Sequence, residues 1–272
     1  GKTIMELKNK HGIVAVIFCL ITTSQLLAQS EGSGGVQGIA KAVRVAEASA
    51  ASRTFRRAIN SGLISAAISR SKSAARRPAA TSPEIRNNRT GAPAVNAAGP
   101  IGVSRTGFLP GIETDYAEKL ADLMELSGAE RDAAIQIFRV TKDAFEKEVA
   151  AKNRQNNISS ALVFFIVSTV TVYHDDPEPA DSALDSLWDS MEATLAGSPE
   201  LNNLSNAEKE EIYNSLIFVS GLVLSFRELA VINRDPDLAS QSRSIAGTLI
   251  KQTLNLNPEK LRFTKKGLEL LP

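Results

Sequence analysis

The sequence of residues 158–173, ISSALVFFIVSTVTVY, decides the fold because it is apolar on nearly every face of a helix. Such a helix belongs at the centre of a bundle, and residues 212–232 form a second run of the same character. As a helix the first run reaches roughly 24 Å, which is short of the ~30 Å hydrocarbon core of a membrane. Arg227 and Glu228 interrupt the second run. The two runs therefore predict two buried central helices, with a transmembrane hairpin as the alternative.

Shorter amphipathic helices with recognisable start signals surround the two central runs. Two S-x-x-E capping boxes open a helix from Ser127 to about Lys152 and a long helix from Ser205 to about Ile232. The remaining predicted elements are Tyr116–Leu126, a helix after Asp176-Pro177 and Pro179, a helix after Asp235-Pro236 and a short tail from Asn257-Pro258 to Leu271. We therefore predict an all-α fold for residues 111–272, a compact helical bundle or orthogonal array of about six helices.

The preceding residues, 31–110, have a different composition. They carry 12 Lys and Arg against 3 Asp and Glu, a net charge of +9, whereas residues 111–272 carry 16 against 26, a net charge of −10. Residues 76–110 contain few large apolar side chains and cannot bury enough surface to offset their chain entropy. We predict that residues 31–110 form a basic, mostly disordered arm or linker joined to an acidic helical domain.

Part of this basic segment has the pattern of a helix. Phe55, Ile59 and Leu63 recur four residues apart, which places them on one helix face. Gly62 and several serines weaken such a helix, so whether residues 36–75 are helical stays open.

The first 30 residues have the three-part layout of a secretory signal peptide. Lys8 and Lys10 give a positive start, residues 13–21 are apolar, and the small residues Ala28 and Ser30 precede a cleavage site. An uncleaved anchor or a buried helix is the alternative. Cleavage would remove the one cysteine, Cys19, and with it any disulfide or thiolate chemistry. We expect an exported protein, periplasmic or extracellular, with no transmembrane span after cleavage.

Few residues after the signal peptide suggest chemistry. His174 lies beside Asp175 and fits either a base, a metal ligand or the cap of a helix C-terminus, and we favour the cap. A single histidine without cysteine cannot form the usual zinc site. Four carboxylates at helical spacing predict a solvated helix face: Asp181, Asp185, Asp189 and Glu192. The sequence therefore predicts no catalytic, cofactor-binding or metal-binding residue, and no cofactor.

Three stretches carry a resemblance to a known family. They are Asn156–Leu162 leading to Tyr173, the long helix Glu208–Asn233, and the ending Asn257–Thr264 with Gly267-Leu268. On these stretches the chain from Phe108 to its end resembles domain-of-unknown-function family 6683, a family of exported bacterial helical proteins. The shared motifs are helix caps and core positions. The resemblance implies a signal peptide, a variable linker and a helical domain, and it implies no activity.

These observations lead to three hypotheses about function. The leading one is a non-enzymatic interaction or structural module of a bacterial cell envelope, with an unknown protein or envelope partner. The second is contact between the basic arm and an anionic lipid or envelope polymer; a solvated, flexible tether is the simpler interpretation of that arm. Export argues against nucleic acid as a partner. The third is a hydrolase with an unrecognised site.

Overall fold

The computed structural model describes residues 50–59, 61–75, 105–111, 115–264 and 267–272. The elements in chain order are α1 Ala50–Ala58, α2 Ser61–Ala75, α3 Tyr116–Leu123, α4 Gly128–Ala151, α5 Ile158–His174, α6 Asp181–Leu195, α7 Pro199–Asn202, α8 Asn206–Asn233, α9 Pro236–Leu249, a π-helical turn Ile250–Leu254, a 3-10 turn Pro258–Lys260, β1 Leu261–Thr264 and β2 Gly267–Leu270. This arrangement confirms the predicted all-α fold class. The predicted signal peptide and residues 31–49 and 76–104 of the predicted arm lie outside the described residues.

The helices α5 and α8 form the centre of the fold, as the two apolar runs predict. Every residue of α5 from Ile158 to Val172 is buried. α8 also qualifies, by its 28-residue length and its composition, as a helix that could cross a membrane, but 72% of its most apolar 18-residue window is buried inside the fold. A core helix that neighbours cover on most sides meets the same criteria, because it too must be apolar around its circumference.

The two central helices run parallel. Residues 105–109 contact the start of both, since Ile158 N–H donates to the Thr106 carbonyl and Leu109 N–H donates to the Asn206 side chain. At the opposite end, Arg227 near the C-terminus of α8 donates to Asp175, the residue that follows α5, at 3.1 Å. In the observed fold, therefore, α5 and α8 do not form the antiparallel hairpin of the transmembrane alternative.

α4 packs antiparallel along α8 at close range. Phe138 of α4 stacks on Phe218 with ring centroids 4.8 Å apart, and one turn later Lys142 donates to Asn214 at 2.7 Å. A Cβ atom on Gly221 would lie only 2.8 Å from Cβ of Thr141. The glycine in the middle of α8 is therefore a packing requirement, and it outweighs the helix propensity that alanine would add.

The helices α1 and α2 correct the predicted domain boundary at residue 111. α2 packs on α6 and β2, and α1 packs on α7 and α8. Phe55 and Ile59 are 3% and 0% exposed and belong to the same hydrophobic core as α5 and α8. α1 and α2 are thus part of the domain, and the predicted disordered arm is wrong for these two helices. The four-residue spacing of the apolar residues correctly indicated a helix. Burial of these residues against the domain offsets the loss of chain entropy, which an isolated short helix could not offset.

The start signals have mixed outcomes. The Ser205 capping box is confirmed, since the Ser205 hydroxyl accepts from Glu208 N–H and the Glu208 carboxylate accepts from Ser205 N–H. Ser127 makes no side-chain cap bond. Gly128, the first residue of α4, has a φ of +53°, which is outside the right-handed helical region. The amides of the first turn are therefore not oriented toward the Ser127 hydroxyl as a side-chain cap requires.

The chain ends in a β-hairpin. β1 and β2 pair antiparallel with Leu261 opposite Leu270 and Phe263 opposite Leu268. Leu261 and Leu268 are buried against the helices, while Arg262 points to solvent. The predicted short tail therefore carries the alternating pattern of a strand pair, which fits a half-buried surface.

Candidate functional site

A short extended segment, residues 105–111, crosses the N-terminal ends of α5 and α8 and is called the strap below. It pairs with the start of α5 as an isolated antiparallel bridge. Phe108 N–H donates to the Asn156 carbonyl at 3.0 Å. Ile158 N–H, one of the free amides at the start of α5, donates to the Thr106 carbonyl at 3.0 Å. The strap thus satisfies backbone groups that the helix itself leaves open.

Two buried side chains anchor the strap to the domain. The Phe108 ring meets the Tyr213 ring edge to face with centroids 5.1 Å apart. Lys209, in the first turn of α8, donates to the carbonyls of Arg105 at 2.8 Å and Gly107 at 3.3 Å. Burial lowers the pKa of the Lys209 ammonium, because the charged form loses hydration there. Lys209 therefore acts as a cross-link between α8 and the strap.

Glu192 of α6 is the centre of the polar cluster beneath the strap. Its Oε2 accepts from Asn157 Nδ2 at 2.9 Å and from the hydroxyls of Ser159 and Thr106. Asn157 is also the N-cap of α5, since its Oδ1 accepts from Ser159 N–H at 2.8 Å. The carboxylate stands at the positive end of the α5 dipole, where a negative charge is favourable. One side chain thus joins α6, α5 and the strap, and the predicted solvated face is wrong for Glu192.

Two more carboxylates of the predicted solvated face are paired. Asp185 accepts from Lys152 at 3.1 Å and from Arg154 at 3.3 Å, and Asp189 accepts from Arg154 at 2.8 Å. Both cations lie 4.7 Å from the centroid of the Trp188 ring. These contacts tie the loop after α4 to α6, while the side chains of Asp185 and Asp189 remain 47% and 76% exposed, in keeping with the predicted solvated face. Asp181 is exposed, as the sequence predicts.

His174 lies at the other end of α5. Its Nε2 is within 3.1 Å of the Pro258 carbonyl and 2.9 Å of the Leu261 carbonyl. Both partners are acceptors, so Nε2 carries the proton and donates. Nearby, Arg262 donates to the Asp176 carboxylate at 3.1 Å. His174 thus connects the last turn of α5 to the start of the β-hairpin. Its role here is structural, but its Nε2 partners are carbonyls of the following segment and not the last carbonyls of α5 that the predicted cap would use.

The arrangement does not assemble an acid–base pair from the candidate residues. Glu192 contacts the first residues of α5 and His174 is its last residue, so the two are separated by roughly 24 Å of helix. Within the described residues, no group of three or more His, Cys, Asp or Glu side chains could hold a metal ion. Sequence reasoning missed Thr106 and Lys209, because the boundary of a basic arm gives no pattern that indicates a strap.

Comparison with known proteins places the chain in a family. The model of the family of unknown function DUF6683 matches residues 20–271. No curated protein and no solved structure matches the chain. The match is wider than the resemblance over residues 108–272, and it includes α1, α2 and the strap.

Proposed function

The chain belongs to the DUF6683 family of unknown function, and we propose that it is a non-enzymatic helical module that works outside the cytoplasm. In this proposal it has an interaction or structural role in a bacterial cell envelope. Residues 1–30 supply the export signal, and the helical domain supplies the stable body.

The supporting observation is that the candidate acid and base groups are used to hold the fold together. Glu192 joins α6, α5 and the strap, and His174 joins α5 to the backbone of the terminal hairpin. Ser159 and Thr106, whose hydroxyls contact Glu192, are 3% and 1% exposed. A nucleophile at this depth would have to be uncovered before it could meet a substrate. The hydrolase alternative therefore gains no support from these residues.

In vivo photo-crosslinking tests the proposal. Val231 and Leu123 are exposed by 62% and 50% and are apolar, which makes them suitable positions for a photoreactive amino acid. We expect a fractionated cell to show the chain outside the cytoplasm, with its N-terminus between Gln29 and Glu31, and to show a discrete crosslinked band from at least one position. Lys251, an exposed polar position on the π-helical turn, is the matched control.

Two results would contradict the proposal. One is a chain that stays in the cytoplasm with residues 5–28 intact. The other is an exported chain that gives the same crosslinking pattern from the apolar positions as from Lys251.

A further inference from the structure

The two N-terminal helices have a one-sided charge. Residues 50–75 contain five basic residues and no acidic residue. Phe55 is buried in the core, so the opposite side of α1 faces solvent. Arg53 and Arg57 are exposed, and their four-residue spacing places them side by side on α1.

These two arginines differ from several arginines of the acidic part of the domain. Arg131, Arg139 and Arg154 each lie within 3.2 Å of an aspartate oxygen. No ion pair joins Arg53 or Arg57 to another described residue. Their guanidinium groups are therefore available for an external anion.

The face that carries them is fixed to the domain. Besides the buried side chains, Arg70 donates to the Thr194 hydroxyl at 3.2 Å and Lys72 pairs with Glu269 at 3.5 Å. A surface that is already ordered loses less conformational entropy on binding than a flexible arm does. The solvent side of α2 also includes Gly62 and Ala66, which are exposed and small, so that the helix can approach a flat surface closely.

We propose that the outer face of α1 and α2 binds an anionic membrane surface, with lipid phosphates as the ligands of Arg53 and Arg57. The rest of the charge distribution favours one orientation. Residues 50–75 carry a net charge of +5, whereas residues 111–272 carry a net charge of −10. A negative surface therefore attracts α1 and α2 and repels the acidic remainder of the domain. The inference rests on the proposed interaction function outside the cytoplasm, for which it names the partner.

Vesicle sedimentation tests the inference. The chain from residue 31 onward, which contains all described residues, is mixed with phosphatidylglycerol–phosphatidylcholine vesicles and with phosphatidylcholine vesicles. We expect binding to the anionic vesicles only, weakened by salt. Each basic residue near an anionic surface contributes about 1 kcal/mol, so Arg53→Ala with Arg57→Ala should lower the partition coefficient about 30-fold. Both side chains are exposed, so the melting temperature should not change.

The matched control is Arg234→Ala with Arg243→Ala, which removes the same charge from two other exposed positions. We expect the partition coefficient of this variant to fall less than threefold. The inference is overturned if the partition coefficients of both double variants fall equally, if neither falls, or if the chain binds a soluble polyanion but no vesicle. None of these outcomes affects the export and crosslinking results, so failure here is distinguishable from failure of the proposed function.

Discussion

Replacing Glu192 by alanine tests whether the polar cluster beneath the strap stabilises the fold. The carboxylate accepts from Asn157 Nδ2, Ser159 and Thr106. After its removal the two hydroxyls keep an alternative acceptor, since Asn157 Oδ1 lies 2.6 Å from the Ser159 hydroxyl and 3.0 Å from the Thr106 hydroxyl. The Asn157 amide loses its acceptor. The main loss is thus one charge-assisted hydrogen bond, plus the interaction of the charge with the α5 dipole.

The magnitude follows from these contacts. A hydrogen bond to a charged group contributes about 1.5–3 kcal/mol, and a carboxylate at a helix N-terminus about 0.3–1 kcal/mol. Because Glu192 is only partly buried, we expect the free energy of unfolding to fall by about 2–3 kcal/mol. In a domain of this size that corresponds to about 4–12 °C in melting temperature.

The assay is urea denaturation followed by circular dichroism, with hydrogen exchange as a local readout. The Ile158 amide, which donates to the strap, should exchange faster in Glu192→Ala. Asp181→Ala is the matched control, because Asp181 lies on the same helix and is exposed; it should lower the free energy of unfolding by less than about 1 kcal/mol, since an exposed carboxylate in the first turn of a helix contributes about 0.3–1 kcal/mol. The reasoning is refuted if the two variants are equally stable, since Glu192 would then be as solvated as the sequence pattern suggests.

Three further predictions concern packing, domain extent and pH. Gly221→Ala should destabilise the fold by about 1–3 kcal/mol in thermal melts, because its Cβ would lie 2.8 Å from Thr141 Cβ, and adding Thr141→Gly should recover part of this loss; additive effects would contradict the close contact. Removing α1 and α2 should leave residues 105–272 with a lower and broader thermal melt, because side chains of both helices belong to the common core, whereas an unchanged melt would restore the boundary at residue 111. Burial raises the pKa of Tyr116 to about 12 and raises that of Tyr213, so above pH ~10 the unfolded state loses protons that the folded state keeps. The free energy of unfolding should therefore fall as the pH rises further, and Tyr116→Phe with Tyr213→Phe should flatten this decline in urea denaturation.

The helices of the acidic part were predictable because their signals are local. The apolar run of α5 and the capping box at Ser205 depend on residues within one or two turns, and both are confirmed. The Ser127 box failed for an equally local reason, the left-handed conformation of Gly128. Sequence periodicity also detected the buried apolar positions Phe55 in α1 and Ile59 directly after it, but it could not show what they pack against.

The candidate site was much less predictable, because it is built from contacts between distant residues. Glu192 meets Thr106 across 86 positions, and Lys209 meets Arg105 across 104. From spacing alone Glu192 belongs to a row of solvated carboxylates, and nothing near Lys209 indicates that it will be buried. The four carboxylates of α6 have different environments in the fold, because Glu192 lies against the start of α5 whereas Asp181 is exposed.

The sequence by itself determined the all-α class, the two central helices, the basic and acidic halves, and the absence of cysteine after residue 19. Each of these depends on composition or on periodicity over a few turns. The tertiary structure decided that α5 and α8 run parallel, that α1 and α2 complete the core, and that one carboxylate joins three segments. The physical reason is that the apolar side chains on a helix face determine that the face will be buried, but they do not determine which segment it packs against. Partner choice depends on shape and hydrogen-bond complementarity between segments that are far apart in the chain.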